Sequence, residues 1–313
     1  MSDPVTHSSP FLPGNDIAYH RWREWKLAGY PRSATDLLVR VRDPGKLDEA
    51  ESRAILARCC KANAAIYEVT GGEPVDKCQL RNLGRQFGLL RLDNNLRADE
   101  DSITTLKVVP AGERTHYIPY TNHPLNWHTD GYYNTPEEQV RGVVMHCVSA
   151  SAEGGDNHYL DHEIAYLLVR DENPDYIVAL MQPDVMTIPA NVENGVEIRS
   201  EQSGPVFSIE PQSGALHMRY TARIRSIGWK QDKITRLATG FLAEILAGDS
   251  AYIIRHRLHA GQGIICNNVL HKREAFTDDA ATGRERLLFR ARYHDRIRDT
   301  GIKHCFGEAT CSG

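Results

Sequence analysis

Two hydrophobic periodicities divide the chain. Up to about residue 103, apolar positions recur mostly at helical spacing. "KLDEAESRAILARCCKANA" predicts a helix with a charged first turn, and "PVDKCQLRNLGRQFG" predicts a second, stopped by Gly88. A short helix is expected around "AYHRWREWKLAGY", inside an otherwise irregular, Pro-rich stretch over residues 1–45. "AIYEVTGG" reads as a strand ending in a Gly-Gly turn. From about Thr104 the period shortens. "TTLKVVP", "HYIPY", "RGVVMHCVSA", "VFSIEP", "ALHMRYTA", "AYIIRHRL", "GIICNNVLH" and "RLLFRARYHD" are short β-rich runs separated by turn residues. Many short strands of this kind predict a sandwich or barrel. Two helical patterns interrupt them, "HEIAYLLVRD" and "KQDKITRLATGFLAEILAG". Asp161 is placed to cap the first, and the second carries Leu237, Phe241, Leu242 and Ile245 on one face.

The expected organisation is therefore an α+β N-terminal region over residues 1–103, a mainly β catalytic core over 104–298 with helical insertions, and a tail over 299–313. A net charge of −4 gives no basic excess to draw nucleic acid or anionic lipid. No apolar run is long enough to span a membrane, and no secretory signal opens the chain, so a cytoplasmic protein is expected. Seven cysteines at irregular spacing, with no CxxC, argue against a disulfide framework and for a reducing compartment. Cys59 and Cys60 read as buried helical thiols, and "HCFGEATC", with Cys305 and Cys311, as a loose tail.

The chemistry gathers in "NWHTDGYYN". On a strand, positions i and i+2 share a face, so His128 and Asp130 could reach one cation. The best third ligand is His271, which closes the apolar run "GIICNNVLH". Two histidines and one carboxylate form the facial triad of non-haem Fe(II) oxygenases, which leaves three coordination positions open. A cationic strand follows. Arg286, Arg290 and Arg292 share its parity, and its apolar neighbours Leu287, Leu288 and Phe289 predict burial, where an arginine needs an anionic partner. "HYLDH" sets His158 and His162 four apart, but with no HExxH it reads as a helix entry and not a zinc site.

In order along the chain, "WHTDGYY", "GVVMHCVSASAEGGDNHYLD", "HRLHAGQGIICNNVLHKREAF" and "RERLLFR" resemble the Fe(II)/2-oxoglutarate-dependent dioxygenases of the taurine dioxygenase and clavaminate synthase type. The resemblance runs from about Leu47 to Tyr293. It implies an α+β, mainly β fold with a double-stranded β-helix (jelly-roll) core and flanking helices. It also implies iron held by His128, Asp130 and His271, and 2-oxoglutarate and O₂ as cosubstrates. Arg286, fifteen positions past His271, would grip the distal carboxylate of 2-oxoglutarate, and Arg290 would face an acidic group of the substrate. Asn157 stands where the family commonly has a Thr that donates to 2-oxoglutarate, and Gln262 replaces a usual acidic residue.

The implied reaction is hydroxylation of an unactivated C–H bond with release of succinate and CO₂. Asp130 disfavours halogenation, because halogenating members carry a small residue there. Desaturation on the same centre is the alternative within enzymes, and a metal-binding jelly-roll sensor without turnover is the alternative outside them. The expected substrate is a small acidic or zwitterionic metabolite such as an amino acid derivative, touched by Arg290, Arg219, Tyr132 and Asn126. Tyr120 and Tyr133 could also line the pocket, Trp127 fits pocket or core equally, and Arg223 and Arg225 read as solvated. The polar run Arg91 to Ser102 reads as an exposed loop, with a lid as the alternative.

Overall fold

The computed structural model describes residues 9–94, 102–109, 118–193, 195–223 and 227–306. Its largest sheet has six strands in the order Leu38–Val41, Ala64–Val69, Gln262–Cys266, Gly142–Ser149, Leu287–Tyr293 and Ile103–Leu106. The first pair is parallel and the other pairs are antiparallel. A four-stranded antiparallel sheet has the order Ile254–His256, Asn157–Leu160, Leu270–Arg273 and Leu125–His128. The expected boundary at 103/104 falls in an edge strand of the large sheet, and the N-terminal region supplies two further strands to that sheet.

Strand alternation explains how the layers are held. Along Gly142–Ser149, Val143, Met145 and Cys147 join one buried cluster together with Tyr159, Leu160 and Leu270 of the small sheet. Val144 points the other way, with Ile265, Ala291 and Tyr293, into a second cluster. Ile55, Cys59, Leu80 and Leu83, from the helices Glu49–Ala62 and Lys77–Gln86, cover that outer face. Both helices start on a capping box, Asp48 with Glu51 and Asp76 with Gln79. The second stops before Gly88, which takes φ +78°.

Four expectations are corrected. Ile118–Tyr120, from "HYIPY", is a 3₁₀ turn and not a strand. A further helix, Pro174–Leu180, follows His162–Glu172, started by the Asn173 side chain and Pro174 at its first position. In the helix Lys233–Ala247 the buried residues are Thr235, Ala238, Leu242 and Leu246; Leu237 is exposed, and Phe241 and Ile245 lie at the edge of the core. Cys60 pairs with Cys305 in a disulfide 245 residues apart in sequence, so Cys60 is not the buried thiol expected and Cys305 does not lie in a loose tail. Here Cys60 lies on the outer side of its helix, next to the short helix Ile302–Cys305, while Cys59 faces the core. Cys311 and most of the Arg91–Ser102 run lie outside the described residues. Among the described residues no helix is long and apolar enough to cross a membrane.

The N-terminal helix Asp16–Leu27 docks through a charge. Lys26 is fully buried, 2.7 Å from Asp161 and 2.6 Å from Glu163. Asp161 also accepts from the Asn63 side chain and from the Glu163 backbone at the start of the helix His162–Glu172. Burial opposes all these charges. The two carboxylates nevertheless hold the Lys26 ammonium above its ordinary range, and Lys26 holds Asp161 below its own. Asp161 therefore contributes stability above the ordinary carboxylate pKa that is lost as pH falls through its lowered value. Lys26→Met leaves two carboxylates buried without a cation and should cost about 3–5 kcal/mol in urea unfolding at neutral pH. A cost below about 1 kcal/mol would show that the pair is not what docks the helix.

Candidate metal centre and substrate cleft

Strand register brings the two histidines together. His271 of Leu270–Arg273 lies directly opposite His128 of Leu125–His128, and their ring centroids are 4.2 Å apart. Each ring is turned by its own local turn. Nδ1 of His128 lies 2.8 Å from the Asn126 carbonyl, and Nδ1 of His271 lies 2.9 Å from the Val269 carbonyl. An acceptor at Nδ1 fixes the proton there and leaves each Nε2 lone pair free, the form a metal ligand needs.

Asp130 completes the cluster from the turn after the strand. Ligand atoms of His128, Asp130 and His271 all lie within 4.8 Å of one another, and no other such cluster occurs among the described residues. A buried Oδ2 of Asp130 has no hydrogen-bond partner. The electrostatics keep the set in its ligating state. Burial, helped by His271, pushes His128 down to about 3, so it is neutral. Burial would raise Asp130, but Arg290 and Arg292 with the two histidines hold its carboxyl well below the usual range. Arg290 Nη1 is 3.1 Å from Asp130 Oδ1, and Arg292 Nη1 is 4.0 Å from it.

Two residues hold that turn in place. Gly131 adopts φ +67°, and a Cβ there would lie 2.5 Å from Val140 Cγ2, which accounts for the glycine in "HTDGYY". Asn268 grips both sides of Asp130: its Oδ1 accepts from the Asp130 N–H at 2.8 Å, and its Nδ2 donates to the Asp130 carbonyl at 2.9 Å and to Val140 at 2.6 Å. Asn268 itself sits at φ +51°, a conformation that Asn tolerates. Sequence reasoning passed over this residue. The available signal was the "NN" that splits "GIICNNVLH" into two strands, each belonging to a different sheet.

Arg286 and Asn157 come together in a small pocket with Cys147, Ser151 and Arg257. Arg286 is buried and stacks against Phe276, with its centre 5.1 Å from the ring. No hydrogen bond or ion pair joins its guanidinium to another described residue. Burial accordingly lowers its pKa, the mark of a cation short of a counter-charge. This arrangement fits a bound carboxylate. Arg257, which sequence reasoning also passed over, hydrogen-bonds Ser151 in the same pocket and has a buried Nε without a partner.

The open side of the cluster is a cleft of about 660 Å³. His128, Asp130, Arg290, Asn126, Tyr132 and Tyr133 line it, as does Tyr120. Arg219 does not. Its guanidinium is given to backbone carbonyls of Tyr132, Met186, Gly204 and Gln202, so it shapes the cleft wall and leaves little capacity for a ligand. Trp127 belongs to the core, where its Nε1 donates to the Leu246 carbonyl at 2.8 Å. Arg223 lines the cleft, and Arg225 lies outside the described residues. Arg292 is held by Asp93 at 2.5 Å and by the Tyr133 hydroxyl at 3.0 Å. His158 and His162 go to Glu274 and the Leu216 carbonyl, consistent with structural roles.

Comparison with known proteins agrees with this geometry. The family model described as taurine catabolism dioxygenase TauD, TfdA family matches residues 33–292. A uridine-5'-phosphate dioxygenase from an Amycolatopsis species is 28% identical over 178 residues, covering 55% of this chain and 62% of that protein. The chain thus spans a little under two thirds of that relative's length. A protein of the same name from a Streptomyces species is 29% identical over 238 residues, covering 70% of this chain and 82% of that one. A solved taurine dioxygenase from Burkholderia xenovorans shares the fold, with a TM-score of 0.55 and 16% identity over 84% of this chain and 89% of its own. With the matched region containing the whole His-Asp-His cluster and Arg286, the chain is a member of the TauD/TfdA family of Fe(II)- and 2-oxoglutarate-dependent dioxygenases.

Proposed function

We propose that this chain hydroxylates an unactivated C–H bond of a small anionic metabolite, with His128, Asp130 and His271 as its iron ligands. The observation that carries this reading is the convergence of one carboxylate and two imidazoles, each with Nδ1 turned to a backbone carbonyl, with ligand atoms within 4.8 Å of one another. In this reading the large and small sheets are the two halves of a double-stranded β-helix, with the metal at the end of the small sheet. Bound iron supplies the coupling of 2-oxoglutarate decarboxylation to oxidation of the substrate.

The chain's own residues bind and orient. The three ligands leave an open face toward the cleft, where O₂ and the substrate can be brought together. Arg286 pairs with the distal carboxylate of 2-oxoglutarate, beside Asn157, and so supplies the counter-charge it lacks within the protein. Arg290 braces Asp130 with one amine. It also lines the cleft, so its charge faces the substrate while Nη1 is engaged by Asp130. Asp130 fills the position that a halide would need, which favours hydroxylation over halogenation. Tyr132 and Asn126 form the substrate wall. The cleft's volume lies in the range that encloses a drug-sized ligand, which favours a substrate larger than a bare amino acid. The likeness to two uridine-5'-phosphate dioxygenases supports a phosphorylated one.

Adding Fe(II) and 2-oxoglutarate without O₂ should produce a visible absorption band, and His271→Ala should abolish it; a band of full intensity in that variant would remove His271 from the ligand set. Arg286→Gln should weaken 2-oxoglutarate binding roughly 10- to 100-fold while Fe(II) alone binds as before. Unchanged 2-oxoglutarate affinity would mean that the pocket serves another anion. Asn268→Gly keeps the backbone conformation but removes both grips on Asp130. Fe(II) affinity should fall roughly 10- to 100-fold, as for other partners that orient metal ligands, and an unchanged metal titration would defeat the positioning role.

A further inference from the structure

The cleft has a second cationic end that the metal chemistry does not use. Residues 220–223 run antiparallel to 126–129, extending the small sheet by one strand's width. Thr221 bridges His128, Thr129 N donates to the Tyr220 carbonyl at 3.0 Å, and Ala222 N donates to the Trp127 carbonyl at 2.8 Å. That register puts Arg223 opposite Asn126, on the face shared by Thr221 and His128, and all four line the cleft. Two residues of extended chain carry Arg223 about 7 Å along the sheet from the level of His128. No hydrogen bond or ion pair joins the Arg223 guanidinium to another described residue.

Arg199 reaches the same region from the hairpin Asn191–Glu193 and Val196–Arg199. It stands over the Tyr133 ring at 5.6 Å and, among the described residues, donates to the carbonyls of Pro189 and Ser200. Arg199 and Arg223 both act electrostatically on Tyr132. At this end, then, two arginines face the cleft, and no carboxylate among the described residues is paired to either. At the metal end, by contrast, Arg290 and Arg292 are already engaged by Asp130 and Asp93.

We infer that Arg199 and Arg223 form a subsite for the phosphate of a nucleoside monophosphate, whose nucleoside packs on Tyr132 and Tyr133. Two guanidinium forks offer the several convergent donors that a dianion with three terminal oxygens requires, where a single carboxylate would be satisfied by one. The two tyrosines meet edge to face with centroids 5.1 Å apart, and an aromatic ledge of this kind receives a flat base or sugar face. The phosphate is thereby placed some 7 Å from the level of His128, and the carbon skeleton next to it falls over the metal. This inference rests on the oxygenase reading for the position of the metal.

The test is calorimetric titration of the full chain, loaded with Fe(II) and 2-oxoglutarate without O₂, using uridine 5'-monophosphate, uridine and inorganic phosphate. The monophosphate should bind at least tenfold tighter than either fragment. Arg199→Gln and Arg223→Gln should each weaken it at least tenfold and leave uridine affinity within about twofold. Failure of the monophosphate to bind, equal affinity for it and uridine, phosphate binding as tight as the nucleotide, or full nucleotide affinity in both variants would each overturn the subsite. The Fe(II)/2-oxoglutarate absorption band in the same samples separates the two readings. Without the band the oxygenase reading fails. With the band but without the discrimination, only the subsite fails.

Discussion

The pairing of His271 against His128 is the constraint on which the rest of the site depends. The two residues are far apart in sequence, yet they sit opposite each other in one antiparallel ladder, with rings 4.2 Å apart. A slip of one residue would turn one ring to the other face of the sheet. Register is therefore part of the metal site, and the devices that fix it are part of the chemistry. Leu270 on one side and Trp127 on the other are buried, so the core resists a slip from both strands. The Trp127 indole adds a hydrogen bond to the end of the helix Lys233–Ala247. What looks like fold architecture thus sets the distance between the two imidazoles of the candidate metal site.

Charge explains the rest of the arrangement. A buried charge is tolerated only with a partner, and the molecule meets this rule in two ways. At Lys26 the rule is met within the protein, by Asp161 and Glu163, and the outcome is a docked helix. Around the metal cluster it is met only in part. Asp130 has Arg290, and Arg292 has Asp93, but Arg286 has no charged partner among the described residues. An uncompensated buried arginine costs stability, and the proposed carboxylate of 2-oxoglutarate would offset that cost at Arg286. The same logic, at a less buried position, underlies the subsite inferred at Arg223 and Arg199.

Much of this was legible in sequence because it follows short-range rules. The 3.6 and 2.0 periods located most of the helices and strands, and the i, i+2 spacing of His128 and Asp130 was informative because both fall near one strand's end. Fold-level order then singled out His271 and Arg286. The misses have physical causes. Arg219 looked like a ligand-binding cation because sequence reveals charge but not the backbone carbonyls that absorb it. Cys60 and Cys305 carry no spacing signal, since their pairing depends on where the chain end folds back. Leu237 shares an apolar face with Leu242, yet a helix pattern gives a stripe but not which part of it is covered; the buried stripe is centred on Ala238 and Leu242.

Asn268 illustrates the deepest limit. The local "NN" marks a break between strands but not the role, because its work is done on a loop 138 residues away. Its left-handed backbone lets the chain leave the large sheet at Cys266 and enter the small one at Leu270 within three residues. That same kink aims its amide at Asp130. One residue therefore joins the two sheets and holds the third ligand at once, so a change that relaxed the crossover would also loosen the carboxylate. The two histidines are secured by a ladder, which is rigid by repetition; Asp130 lies beyond it, its backbone gripped by the Asn268 amide and its carboxylate braced by Arg290. Of the three ligands, Asp130 is the one whose position the protein can most easily lose, and the clamp on its backbone is where the fold and the metal site are most tightly coupled.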